Sequence, residues 1–228
     1  MALERSLLRM RTAAELAVET AEAAQAAKKA EASSVFVHAA GLSPSAELIA
    51  AAVDTGINVH VQVRPRHGDF IYTEEELATI REEIIAACTA GAYGVVIGAT
   101  DATGTAPNVE LLRELTQLAA DNGAKSVTLD RVFDNFTDQP RALLLLSSAG
   151  LTRVYTSAGK ESAVDAQAEL QALVAIGDTM GVDIYAAGDI EVKNVHELRD
   201  VRLHGVLVDY TTPEDAKALV DTIKPWTR

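Results

Sequence analysis

One cysteine in 228 residues, Cys88, leaves no disulfide framework and no thiol pair for a soft metal. It falls in an amphipathic stretch at 80–90, on what reads as a packed face, and a buried structural cysteine is a poor nucleophile. The three methionines, Met1, Met10 and Met180, are scattered, so thioether sulfur offers no cluster either. No apolar run approaches the roughly 20 residues a membrane span needs, so no membrane association is expected. Glu4, Arg5, Arg9, Arg11 and Glu15 break up the N-terminal stretch too often for the core of a secretory signal, and a cytoplasmic location is expected. Basic residues are outnumbered 20 to 33, giving a net charge of −13 that repels phosphate backbones. With no basic stripe interleaved with aromatics, nucleic acid is not an expected partner. Neither a Walker loop nor a Gly-x-Gly-x-x-Gly turn follows any strand, so no nucleotide cofactor is expected. Lysines stay out of strand interiors, which argues against Schiff-base chemistry. Repeats, low-complexity tracts and a Pro/Gly-rich linker are missing too. With 48% hydrophobic and 23% charged residues, the chain reads as one globular domain over 1–228.

Against these absences stands a regular alternation of apolar runs and helix-forming stretches. Val59, Val61 and Val63 share one face of a strand, while His60, Gln62 and Arg64 share the other. A face polar along its whole length can point into a closed barrel, toward its axis and mouth. Strands are predicted at 3–8, 34–39, 58–64, 93–99, 126–130, 153–157, 183–187 and 205–209. Helices are predicted at 13–29, 74–90, 109–122, 139–149, 163–180 and 213–223. Thr73 followed by Glu74, Glu75 and Glu76 reads as a capping box, and Gly91 as a stop. Eight strands alternating with helices make a single α/β domain, a (β/α)8 TIM barrel; an open Rossmann-like sheet is the alternative.

In such a barrel the chemistry sits on the loops after the strands. Reading strand ends in order gives Glu4 and Ser6, then His38, then Arg64, Arg66, His67 and Asp69. The later strands supply Thr128, Asp130, Arg131 and Asp134, then Thr156 and Ser157, Gly188 and Asp189, and Asp209. Parity puts His38, Arg64, Thr128 and Asp130 on one side, and buried charges must pair, so a network of Glu4, Arg64 and Asp130 is expected.

The segments RPRHGDF at 64–70 with Tyr72 after it, TLDRVFD at 128–134, RVYTSAG at 153–159 and AAGDI at 186–190 resemble the CutC copper-homeostasis family along most of the chain. The resemblance implies a (β/α)8 barrel, a cytoplasmic protein and a link to copper, with copper ion binding as a family property. Departures fall at the site. His38-Ala39-Ala40 stands where the family usually has glutamate, leucine and cysteine, and Asp130 stands where it usually has histidine. The cysteine expected after the first-strand glutamate is replaced by non-sulfur residues around 5–7, so the family's cysteines do not carry over to this chain.

Two functional classes follow. A metal site could draw on His38 and Asp130 with Glu4, or on His67 with Asp69, although no His-x-His or His-x3-His spacing supports one. Copper as a cofactor therefore rests on the resemblance. The other class is an enzyme of isomerase, lyase or hydrolase type, or a binder, acting on a small anionic or polar ligand. Here Arg64 clamps the anion, Glu4 or Asp130 acts as general base, and His38, Arg66, Asp69, Arg131, Thr156, Ser157 and Gly188 shape the site. Pro65 makes the two arginine side chains diverge, so Arg66 more naturally pins the loop through Asp69 or another acid. In a third reading both arginines only neutralise Asp130 and Asp134. A homodimer through the acidic outer helices stays open.

Overall fold

Short runs of β-branched residues, buried on both faces, form the staves of a closed parallel barrel in the computed structural model, which describes residues 11–228. The strands are β1 (Ala13–Val18), β2 (Ser34–Val37), β3 (Val59–Gln62), β4 (Gly94–Ile97), β5 (Ser126–Leu129), β6 (Arg153–Thr156), β7 (Asp183–Ala187) and β8 (Gly205–Asp209). They pair in chain order and close through β1 and β8, with Ala17 opposite Asp209. The helices are α1 (Ala21–Lys29), α2 (Ala46–Val53), α3 (Glu74–Thr89), α4 (Val109–Asp121), α5 (Gln139–Ser148), α6 (Gln167–Met180) and α7 (Pro213–Ile223). Between β7 and β8 a 3-10 helix, Val195–Val201, stands in for an α-helix. The architecture is the expected (β/α)8 barrel. None of the described helices is long and apolar enough to cross a membrane.

Local chemistry starts most of these helices. Thr20, Ser45, Asn108, Asp138 and Thr212 each accept a backbone N–H with the side-chain oxygen at the N-cap, and α3 carries the full capping box between Thr73 and Glu76.

The first strand is a correction. The predicted strand at 3–8 lies outside the described residues, and Ala13–Val18, read from sequence as the start of a helix at 13–29, is β1. Ala-Ala-Glu-Leu-Ala-Val favours a helix in isolation, but parallel pairing on both edges overrides that weak preference. The Thr20 cap then opens the helix at Ala21, eight residues later than predicted at 13. Elsewhere β7 and β8 have the predicted bounds, and the other strands are one to three residues shorter than expected.

Outward-facing Val35, Val37, Val59, Val61, Val95 and Ile97 pack with the helices into one large core. Each such residue contributes about 1.5–3 kcal/mol by leaving water. Inside the barrel lies a second, small cluster of Val96, Tyr155, Tyr185 and Ala187, with Ala13, Phe36 and Leu207 against it. Two glycines make room for its large rings. A Cβ on Gly205 would run into the Tyr185 ring, and one on Gly94 would meet the His60 ring and the Ser126 carbonyl. At the N-terminal end of the barrel, Thr12 N–H donates to the Trp226 carbonyl at 3.3 Å and Arg11 bridges Thr227, so the buried Trp226 caps that face.

Candidate functional site at the C-terminal mouth

The inward face of β3 does point along the axis, and its lowest residue meets a buried ion network. Glu15 on β1 is completely buried, with His60 Nδ1 2.7 Å from Oε1. Tyr155 OH donates to its Oε2 at 2.8 Å, Ser34 Oγ donates to Oε1 at 2.9 Å, and Arg153 approaches at 3.4 Å. Burial alone would raise the Glu15 carboxyl, but Arg153 and His60 outweigh it and hold the group down at about 2. Burial, with Arg153 beside it, pushes His60 below its ordinary range, so the ring stays neutral. Arg153 is held by Thr128 Oγ1 at 2.8 Å and stacks over the Tyr185 ring at 4.4 Å.

Above this layer the strand ends enclose a cavity of about 450 Å³, whose walls include Phe36, His38, Gln62, Arg64, Asp130 and Tyr155. Asp130 accepts from Gln62 Nε2 at 3.1 Å and from Val132 N–H at 3.3 Å. Burial raises its carboxyl above the usual range, with Arg64 and the Gln62 bond opposing. Arg64 donates to the Gly68 carbonyl at 2.8 Å and lies 4.2 Å over the Phe70 ring. It makes no ion pair among the described residues, and its Nε is buried without a partner. The hydroxyl of Tyr72 is likewise buried and unpartnered, and burial raises its pKa with Arg64 and Asp130 among the charges it senses. Orphaned polar atoms of this kind call for a ligand or water. A larger groove of about 800 Å³ lies among the outer helices, lined by residues such as Ala21, Ala26 and Ala51, apart from these groups.

The predicted site residues separate into two sets. His38, Arg64, Asp130, Arg131 and Gly188 line the cavity together. His38 Nδ1 accepts the Gly41 N–H at 3.2 Å, and the Arg131 guanidinium packs so closely on Gly188 that a Cβ there would collide with it. The other set builds the rim. Arg66 donates to Glu76 at 2.5 Å, to Asp69 at 2.9 Å and to the Ile71 carbonyl at 2.8 Å, so Arg66 and Asp69 pin the loop, as Pro65 suggested. Thr156 and Ser157 are buried and donate to Asp134 at 2.5 and 3.0 Å, while Arg131 reaches the same carboxylate at 3.1 Å. Glu4, and with it its part in the expected Glu4–Arg64–Asp130 network, lies outside the described residues. The first-strand glutamate of the barrel is Glu15, and it pairs with His60 and Arg153 one layer below the mouth. Arg153 and Tyr155 were missed, although their alternation with Val154 places them on one face of β6. Among the described residues no three His, Cys, Asp or Glu side chains are arranged to hold a metal.

The family model for the CutC family matches residues 12–211. The chain belongs to the CutC family. It is 39% identical to a CutC family protein of Caulobacter vibrioides over 166 residues, covering 73% of this chain but 65% of that one. A CutC family protein of Mesorhizobium japonicum is 35% identical over 191 residues, covering 81% and 72% of the two chains. Among solved structures, a CutC protein of Streptococcus agalactiae named for copper homeostasis superposes with a TM-score of 0.78 at 22% identity, covering 86% of this chain and 98% of its own. A thiamine phosphate pyrophosphorylase of Pyrococcus furiosus superposes at 0.64 with 13% identity, covering 96% and 98%, a likeness of fold alone. Within this CutC-family barrel, Gln62 of β3, Tyr155 of β6 and Asp130 just after β5 line the mouth, and Glu15, His60, Thr128 and Arg153 lie beneath it.

Proposed function

We propose that this CutC-family barrel is a cytoplasmic protein whose C-terminal mouth binds a small polar molecule through an anionic group held by Arg64. The observation that carries this reading is Arg64 itself, a guanidinium that forms no ion pair among the described residues, on the wall of a cavity it shares with Asp130. An arginine in that position offers a planar fork to a carboxylate or phosphate. Asp130, held by Gln62 and the Val132 amide and raised by burial, is suited to give or take a proton beside the bound anion. Tyr72 adds an unpartnered hydroxyl nearby. Proton-transfer chemistry of isomerase, lyase or hydrolase type fits this pair of roles.

The family name links relatives to copper, but the donor set among the described residues does not fit a bound copper ion. Cu(I) favours thiolate and thioether ligands, whereas Cys88 is buried in α3 against the Ala119 carbonyl, and no three His, Cys, Asp or Glu side chains among the described residues gather into a ligand set. Two titrations separate the readings. Small carboxylates should bind wild-type protein and lose binding in Arg64→Ala, and copper under reducing conditions against a chelator should show nothing tighter than an exposed histidine gives. Carboxylate binding unaffected by Arg64→Ala, or tight 1:1 copper binding abolished by His38→Ala, would overturn the proposal.

A further inference from the structure

The mouth is electrically divided. In an eight-strand closed barrel the strand opposite β3 is β7, so Arg64 at the end of β3 faces Asp189 just beyond β7. Asp209, at the end of β8, lines the same cavity beside it. Arg131 adds little free positive charge, because Asp134 accepts from its Nε at 3.1 Å and Ser157 from its Nη2 at 3.1 Å. The Asp189 and Asp209 carboxylates make no ion pair among the described residues. Among the described residues, one wall therefore offers a guanidinium that forms no ion pair, with Asp130 beside it, and the opposite wall offers two carboxylates that form none, although Lys193, bonded to Glu191, senses the Asp189 charge.

From this we infer that the ligand carries both charges, a carboxylate toward Arg64 and an ammonium toward Asp189 and Asp209, which makes it an amino acid or a short amino carboxylate. The inference rests on the mouth being a binding site with Arg64 as its anion anchor. A simple dianion such as a phosphate monoester would face two unpaired carboxylates across the cavity, and like charges at close range select against a partner. An ammonium turns the same carboxylates into charge-assisted hydrogen-bond acceptors. The cavity of about 450 Å³ lies toward the small end of ligand sites.

The test is calorimetric titration of the full chain with ω-amino acids from glycine to 6-aminohexanoate, beside the matching carboxylates without the amine and the matching alkylamines. The expected result is that one amino acid binds at least about tenfold tighter than either single-charge analogue, the scale of one charge-assisted contact. Asp189→Asn with Asp209→Asn should reduce it to the level of the plain carboxylate, whose own binding should tighten as the opposing negative charge is removed. If the plain carboxylate binds as tightly as the amino acid and Arg64→Ala abolishes both, the inference falls while the Arg64 site stands. If neither carboxylate nor amino acid binds in a manner that depends on Arg64, both fall together. A circular dichroism spectrum matching wild type in each variant excludes misfolding as the cause.

Discussion

Replacing Glu15 with Gln tests the ion network that sits under the mouth. The carboxyl is held at about 2 against an ordinary 4.5. At about 1.4 kcal/mol for each tenfold change in proton affinity, the gap corresponds to about 3 kcal/mol of folding stability at neutral pH. Because the folded value is the lower one, that stability is fully present above pH 4.5 and is withdrawn as pH falls toward 2. About 2 of the roughly 3 kcal/mol are gone by pH 3. His60 acts in the same direction from a higher pH, since its folded pKa is also depressed and the unfolded chain takes up a proton below 6.5 that the folded chain refuses. Glu15→Gln leaves the buried Arg153 uncompensated, so the variant should lose about 3–5 kcal/mol at pH 7. Denaturant unfolding of wild type and variant from pH 7 to pH 3 reads the difference directly. It should narrow by about 2 kcal/mol over the acid half of that range. A difference under about 1 kcal/mol at pH 7, or one that stays constant down to pH 3, would refute the reasoning. The double change Glu15→Leu with Arg153→Met should recover most of the loss, because it removes both buried charges together.

Gly205→Ala drives a methyl into the Tyr185 ring, and a cost of about 2 kcal/mol or more should appear as a lowered melting temperature. Thr73→Ala removes the reciprocal cap of α3, so about 1 kcal/mol should be lost in chemical denaturation while carboxylate binding at the mouth stays unchanged. Protonating Asp130 removes a negative charge beside Arg64, and its carboxyl titrates above 3.8. Affinity for a small sulfonate, which stays ionised in acid where a carboxylate ligand would not, should therefore rise as Asp130 takes up its proton, and Asp130→Asn should flatten the profile in a titration series.

Much of the site was legible from alternation. His60, Gln62 and Arg64 against three valines announced a polar face, and in the barrel that face supplies in turn a partner for Glu15, one for Asp130 and the unpaired guanidinium. The Pro65 corner was legible too, since a fixed φ separates two neighbouring arginines into a cavity wall and a loop pin. The glutamate of the first strand was not, because an alanine-rich segment carries no local mark of being a strand until β2 and β8 pair with it. The partners Glu15 and Arg153, 138 residues apart, meet through closure of the barrel alone.

Period-two and helical patterning and caps therefore marked seven of the eight strands and the (β/α)8 class from the sequence by itself, because these local signals agree with one another along the chain, while the first strand came from pairing with β2 and β8. Which charges find partners was decided by the tertiary structure. Arg66, Arg131 and Arg153 are neutralised by Glu76, Asp134 and Glu15, while Arg64 is left facing Asp189 across the mouth. Pairing depends on distances across the axis, and closure of the sheet is what sets them.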